Sequence, residues 1–187
     1  MPMRLNYRKK IIIIGAVAAA LLIALFVTQS KRGRGFAPWH PPTVAVERAG
    51  PAWAYPDPNR TPGFVNPNIT QANIEETICN PNWSTKNIRP PASYTTKLKR
   101  AQIQQWGLPG ATADYEEDHF ISLDLGGSPT DYRNLWPEPY APKPGAREKD
   151  VVERYLHKEV CAGAMTLEAA QNAITTDWYR IYMQIQR

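Results

Sequence analysis

The chain has 187 residues, a length that suits one modest domain with flanking segments. Its formal net charge is +5, but seven of its 22 Lys and Arg residues and none of its 17 Asp and Glu residues fall in residues 1–34, so the remainder carries 15 basic against 17 acidic residues, about −2. The basicity belongs to the N-terminal segment; a wide electrostatic footprint for nucleic acid is not indicated beyond it, and any such contact must rely on local patches.

Residues 1–10 form a short basic tail. Residues 11–27 are unbroken apolar and small residues without charge or proline, and Thr28 and Gln29 extend the run. The stretch 11–29 reads as a single-pass transmembrane signal anchor at the short end of the range that spans a bilayer. The alternative, a cleaved signal peptide, calls for a small-x-small site, and none follows Leu25-Phe26-Val27. Basic residues flank both sides, so the positive-inside bias is weak. The short tail and the cysteine usage favour an N-in orientation, with the C-terminal part outside the cytoplasm.

Residues 30–66 scatter prolines among Trp39, Trp53, Tyr55 and Phe64 with no helical or strand period, and read as a Pro-rich, semi-extended stalk whose last aromatics can pack on the domain. His40, in Trp-His-Pro-Pro, reads as a solvated loop residue. The globular domain is expected over 67–187. Ser93 or Thr95 can cap a helix running to Trp106, with Leu98, Ala101, Ile103 and Trp106 inward and Gly107 as its stop. Lys86, Arg89, Lys97, Lys99 and Arg100 make the densest positive region outside the anchor, either a solvated face or a phosphate-contacting patch. A proline-rich loop at 137–145 precedes a helix over 146–160 with Val152, Tyr155, Leu156 and Val160 along one side. Gly163 ends it. Thr166 caps a last helix whose stripe is Leu167, Ala170, Ile174, Trp178 and Ile181.

Cys79 and Cys161 are 82 positions apart and have no partners at metal-ligand spacing. In an exported domain they read as a disulfide. Closing a loop of that length stabilises by about 4 kcal/mol in the chain-entropy model. Two unrelated buried thiols are the alternative.

The stretch with chemical content is Glu117-Asp118-His119-Phe120-Ile121-Ser122-Leu123-Asp124-Leu125-Gly126-Gly127, followed by Asn134-Leu135-Trp136-Pro137. The alternation after Asp118 predicts a strand, Gly126-Gly127 a reversal, and Asn134-Leu135-Trp136 a returning strand. Such a hairpin can bring Asn134 back beside Asp118 and His119. An imidazole, near neutral at pH 7, can take a proton from water. A neighbouring carboxylate and an amide can hold a hydrated divalent cation such as Mg²⁺, which stabilises charge on a phosphoryl oxygen. An Asp-His pair in a turn can equally be a structural hydrogen bond.

These residues resemble the core of the HNH nucleases of the His-Me finger (ββα-metal) group: Asp118-His119, a hydrophobic run, Gly126-Gly127, then Asn134-Leu135 and a helix. The resemblance covers about residues 115–160. It implies an α+β fold with a small ββα-metal core and flanking helices. It implies that His119 is the general base, that Asp118 binds the metal, and that Asn134 binds the metal or orients the base. The metal would be Mg²⁺, with Mn²⁺ or Zn²⁺ as alternatives. The family's further His or Asn early on the helix has no counterpart at that spacing; Lys149, Asp150 or His157 could substitute. Arg133, Lys149 and His157 are the candidate substrate contacts. The cysteine pairs that hold zinc in many relatives are absent, and a Cys79–Cys161 disulfide could brace the same helix. The chain is thus expected to be a membrane-anchored, metal-dependent endonuclease acting on DNA or RNA, its protein partners unknown. The rival expectation is a non-catalytic envelope binding or structural module that keeps the hairpin scaffold.

Overall fold

The computed structural model describes residues 47–187. The basic tail, the anchor at 11–29, the membrane orientation inferred from it, His40 and the first part of the stalk lie outside the described residues. Among the described residues, no helix is long and apolar enough to cross a membrane.

The fold is mixed α+β. A two-stranded antiparallel sheet, β1 (Tyr115–His119) and β2 (Leu135–Pro139), is accompanied by α1 (Ala92–Trp106), α2 (Ala146–Cys161), α3 (Leu167–Ile185) and several single 3-10 turns. Tyr115 lies opposite Pro139, Asp118 opposite Trp136 and His119 opposite Leu135. The expected strand through the alternating run stops at His119 instead. Phe120, Ile121, Leu123 and Leu125 are all buried, so the run has no solvent side to hold it in a pleat, and Leu123–Leu125 coils into a 3-10 turn. Gly126 closes that turn at φ 72°, a conformation that favours glycine. Gly127 has no room for a side chain, because a Cβ there would lie 1.8 Å from the Ile121 carbonyl oxygen.

The helices begin and end largely where local chemistry predicts. α1 starts directly after Pro91 without a side-chain cap, so neither Ser93 nor Thr95 caps it; it stops at Gly107, φ 63°. Its inward face differs from the expected stripe: Ala101 is exposed and Gln102 is buried, its amide donating to the Leu135 carbonyl at 3.0 Å. Thr166 Oγ1 accepts from the Ala169 N–H at 3.1 Å and caps α3. Leu167, Ala170, Ile174 and Trp178 fill the core from that helix. Truncating Trp178, which has no exposed surface, would cost about 3–5 kcal/mol.

Of the proline-rich segment, residues 47–66 are described, and they pack onto the domain. Ala54 and Tyr55 are buried, and the Trp178 indole N–H donates to the Ala54 carbonyl at 2.7 Å. Asp177 breaks the helical path of α3 at φ −159°, ψ 70°. Its carboxylate accepts from the Tyr55 hydroxyl at 2.5 Å and the Ala49 N–H at 2.8 Å. Aromatic packing and a buried acceptor thus draw the proline-rich segment in. At the far end of α2, Cys79 and Cys161 are disulfide-bonded with Cα atoms 5.3 Å apart, which fastens the segment around residue 79 to the helix.

Candidate functional site

The end of the hairpin is built by one amide. β2 ends its ladder at Leu135, yet Asn134 continues it with its side chain. Its Oδ1 accepts from the Ile121 N–H at 2.9 Å and from the Phe64 N–H at 3.2 Å. Its Nδ2 donates to the Ile121 carbonyl at 2.9 Å and the Ser128 carbonyl at 3.0 Å. The amide mimics one more peptide unit of the strand and pins the 120–128 loop. All of its hydrogen-bonding positions are thereby used on backbone, and Asn134 is wholly buried. It stands beside the Asp118-His119 pair through the backbone, since the Phe120 N–H donates to the Asn134 carbonyl at 2.8 Å.

His119 is held through one ring nitrogen. Nε2 lies 3.0 Å from the Pro129 carbonyl oxygen. A carbonyl can only accept, so Nε2 carries the proton and Nδ1 of the neutral ring keeps its lone pair. Burial pushes the imidazole below its ordinary value, against the pull of Asp118, so the neutral form prevails at pH 7. Nδ1 makes no protein hydrogen bond among the described residues.

Asp118, one residue earlier on the strand, faces Lys149 of α2. The Lys149 ammonium donates to Asp118 Oδ2 at 2.7 Å, to Glu153 Oε1 at 2.5 Å and to the His119 carbonyl at 3.1 Å, and lies 3.5 Å from Glu138. Lys149 has no exposed surface. Burial alone would discharge it, but the surrounding acids, Asp118 foremost, hold it charged. Burial opposes the ionisation of Asp118, and Lys149 outweighs it and holds the carboxyl down at about 2. Glu138 and Glu153 go the other way. Burial first, then the nearby negative charge of Asp118, raises both, Glu153 to about 8. One ammonium thus pairs with the carboxylate it holds down, while burial and that nearby negative charge favour the protonated form of the other two.

A cleft of about 290 Å³ opens beside this group, lined among others by Asp118, His119, Ser122, Asp124, Asp150 and Glu153. Arg89 and Arg154, both exposed, stand at its wall. Arg89 belongs to the positive region read from the sequence; Arg154 was given no role there, and its signal is only a basic residue one helical turn beyond Asp150.

The other expected site residues sit elsewhere. Lys149 is sealed among acids and has no free face for a phosphate. Arg133 pairs with Asp131 at 2.6 Å and lies over the Phe64 ring, away from the lining of the cleft. His157 lies two turns beyond Lys149, donating from Nε2 to the Ile78 carbonyl at 2.8 Å, beside Cys161. Glu138 and Glu153 were not anticipated. Lys149 and Glu153 at i, i+4 carried a faint signal, whereas Glu138, inside Trp-Pro-Glu-Pro, carried none.

A divalent metal at Asp118 can be tested against these contacts. One oxygen of that carboxylate, Oδ2, is taken by Lys149, and Asn134, the second expected ligand, has both acceptor positions of its amide oxygen engaged by backbone N–H groups. Among the described residues, the group of three potential ligands that lies together is Cys79, His157 and Cys161, and both sulfurs are bound to each other. The Lys149 ammonium occupies the point on which Asp118, Glu138 and Glu153 converge.

No family model matches the chain, and neither a curated protein nor a solved structure matches it.

Proposed function

We propose that the domain is a phosphodiester hydrolase of the HNH, His-Me finger kind, with DNA or RNA as substrate. The observation that carries this reading is His119: a neutral imidazole, fixed through Nε2 to a carbonyl, at the wall of a cleft edged by two arginines. In this reading Nδ1 takes the proton of a water whose oxygen attacks phosphorus. One ester P–O bond breaks, and the leaving oxygen takes a proton from solvent. Arg89 and Arg154 bind the phosphate and offset its growing charge. Asn134 orients the loop whose Pro129 carbonyl fixes His119, and is not itself a ligand.

The run at 11–29 anchors this domain to a membrane in the same proposal, N-in. The disulfide supports placing the domain in an oxidising compartment outside the cytoplasm.

The test is cleavage of labelled DNA and RNA by the full-length chain, with the disulfide intact, with and without divalent ions. General-base loss predicts a fall of about 10²–10⁴ in rate for His119→Ala. Because burial lowers the imidazole below its ordinary value, the wild-type rate should hold through mildly acid pH and fall only where His119 gains a proton. No cutting by a folded sample under any condition would overturn the proposal in favour of a binding module.

A further inference from the structure

The group around Lys149 has the composition of a cation site with the cation supplied by the chain. Three carboxylates from three elements converge on one point: Asp118 from β1, Glu138 from β2 and Glu153 from α2. The point is occupied by the Lys149 ammonium, which is sealed from solvent and also grips the carbonyl of His119. Carboxylates are not gathered in this way by an apolar core, where each costs several kcal/mol to bury unpaired. Lys149 reaches the site from the second turn of α2, the helix that follows the hairpin.

We infer that Lys149 is a positioning residue that takes the place of a divalent metal, so that the site works with an internal ammonium in place of a bound ion. This rests on the hydrolase reading for its chemical meaning, but not for its test. Lys149 fixes Asp118 and the His119 backbone, the two groups an ion at this point would otherwise organise. It supplies a single positive charge among three acids, 2.7 Å from Asp118, 2.5 Å from Glu153 and 3.5 Å from Glu138.

The test is Mn²⁺ binding by the full-length protein, read by calorimetry and by Tm. Wild type should show no saturable binding that depends on Asp118. Lys149→Ala removes the ammonium and leaves the carboxylates, and should gain a site: a Tm rise of about 5 °C with Mn²⁺ at a hundredfold excess over its Kd. Adding Asp118→Asn should abolish that gain. Saturable wild-type binding that Asp118→Asn removes would overturn the inference, as would a folded Lys149→Ala protein that binds no ion. If Lys149→Ala does not fold, wild type with ¹⁵N-labelled lysine gives the answer. An Nζ signal of Lys149 left sharp by paramagnetic Mn²⁺ supports the inference, and selective broadening overturns it. Where DNA and RNA are both left uncut, the hydrolase reading fails and the ion-binding result still stands.

Discussion

The two ends of α2 are held by opposite means. Near its N-terminus, Lys149 joins the helix to both strands through buried charge. Its last residue, Cys161, is joined to Cys79 by a covalent bond. The disulfide acts largely by restricting the unfolded chain and needs no particular chemistry around it. The charge group acts in the folded state, gains stability only while every partner is present, and fixes Asp118 and the His119 backbone as it does so. A helix fastened at one end by a crosslink can carry a costly polar group at the other. The crosslinked end keeps its position, and the charged end orients Asp118 and His119.

Removing one partner at the charged end should have the largest effect. Lys149→Met leaves the Asp118 carboxylate buried and unpaired and should cost about 3–5 kcal/mol at pH 7 in urea denaturation. The loss should shrink at acid pH, where Asp118 takes up a proton. Equal loss at all pH values would mean that packing, not charge, holds this end. Replacing both cysteines with serine should cost about 2–4 kcal/mol and leave the pH dependence of stability unchanged, which would separate the two fastenings.

A neutral network should fall between these and a purely local effect. Asn134→Ala strands the Ile121 N–H and carbonyl and should cost about 2–4 kcal/mol, with little pH dependence between pH 5 and 8. Crosslinking by the disulfide should not rescue it, because the defect lies in the 120–128 loop. The smallest effect is on a slope. Glu153 keeps its proton up to about pH 8 when folded and loses it near 4.5 when unfolded. The unfolded chain therefore binds fewer protons in that window, and wild-type stability should decline as pH rises through it. Glu153→Gln should flatten that decline, seen as a smaller drop in Tm between pH 5 and pH 8.

Much of the scaffold was legible because its signals are local. Gly107 and Thr166 act through their own backbone and hydroxyl within one turn, and both perform as the sequence predicts. The stripe of α3 is legible because helical period alone places Leu167, Ala170, Ile174 and Trp178 on one face. The alternation after Asp118 misleads, because period-2 patterning implies a strand only when one face meets solvent, and both sets of residues here are buried. The Asp118-His119 pair could be singled out as chemistry, but the partners that define its state could not. Pro129 is ten residues away and contributes only a carbonyl, which every residue has.

The amino-acid sequence by itself determined where the helices lie, where the chain turns at Gly126 and Gly127, and which two cysteines could pair. These follow from side-chain volume, backbone freedom and spacing within a few residues, or from there being only two thiols. Only the tertiary structure decided that Lys149 points inward among three acids, that Asn134 spends its amide as a strand extension, and that residues 47–66 pack on Asp177 and Trp178. Each depends on groups brought together from distant parts of the chain, where burial and opposing charge reset what a side chain does. A lysine that reads as a phosphate contact in water becomes, once sealed among carboxylates, a fixed internal cation.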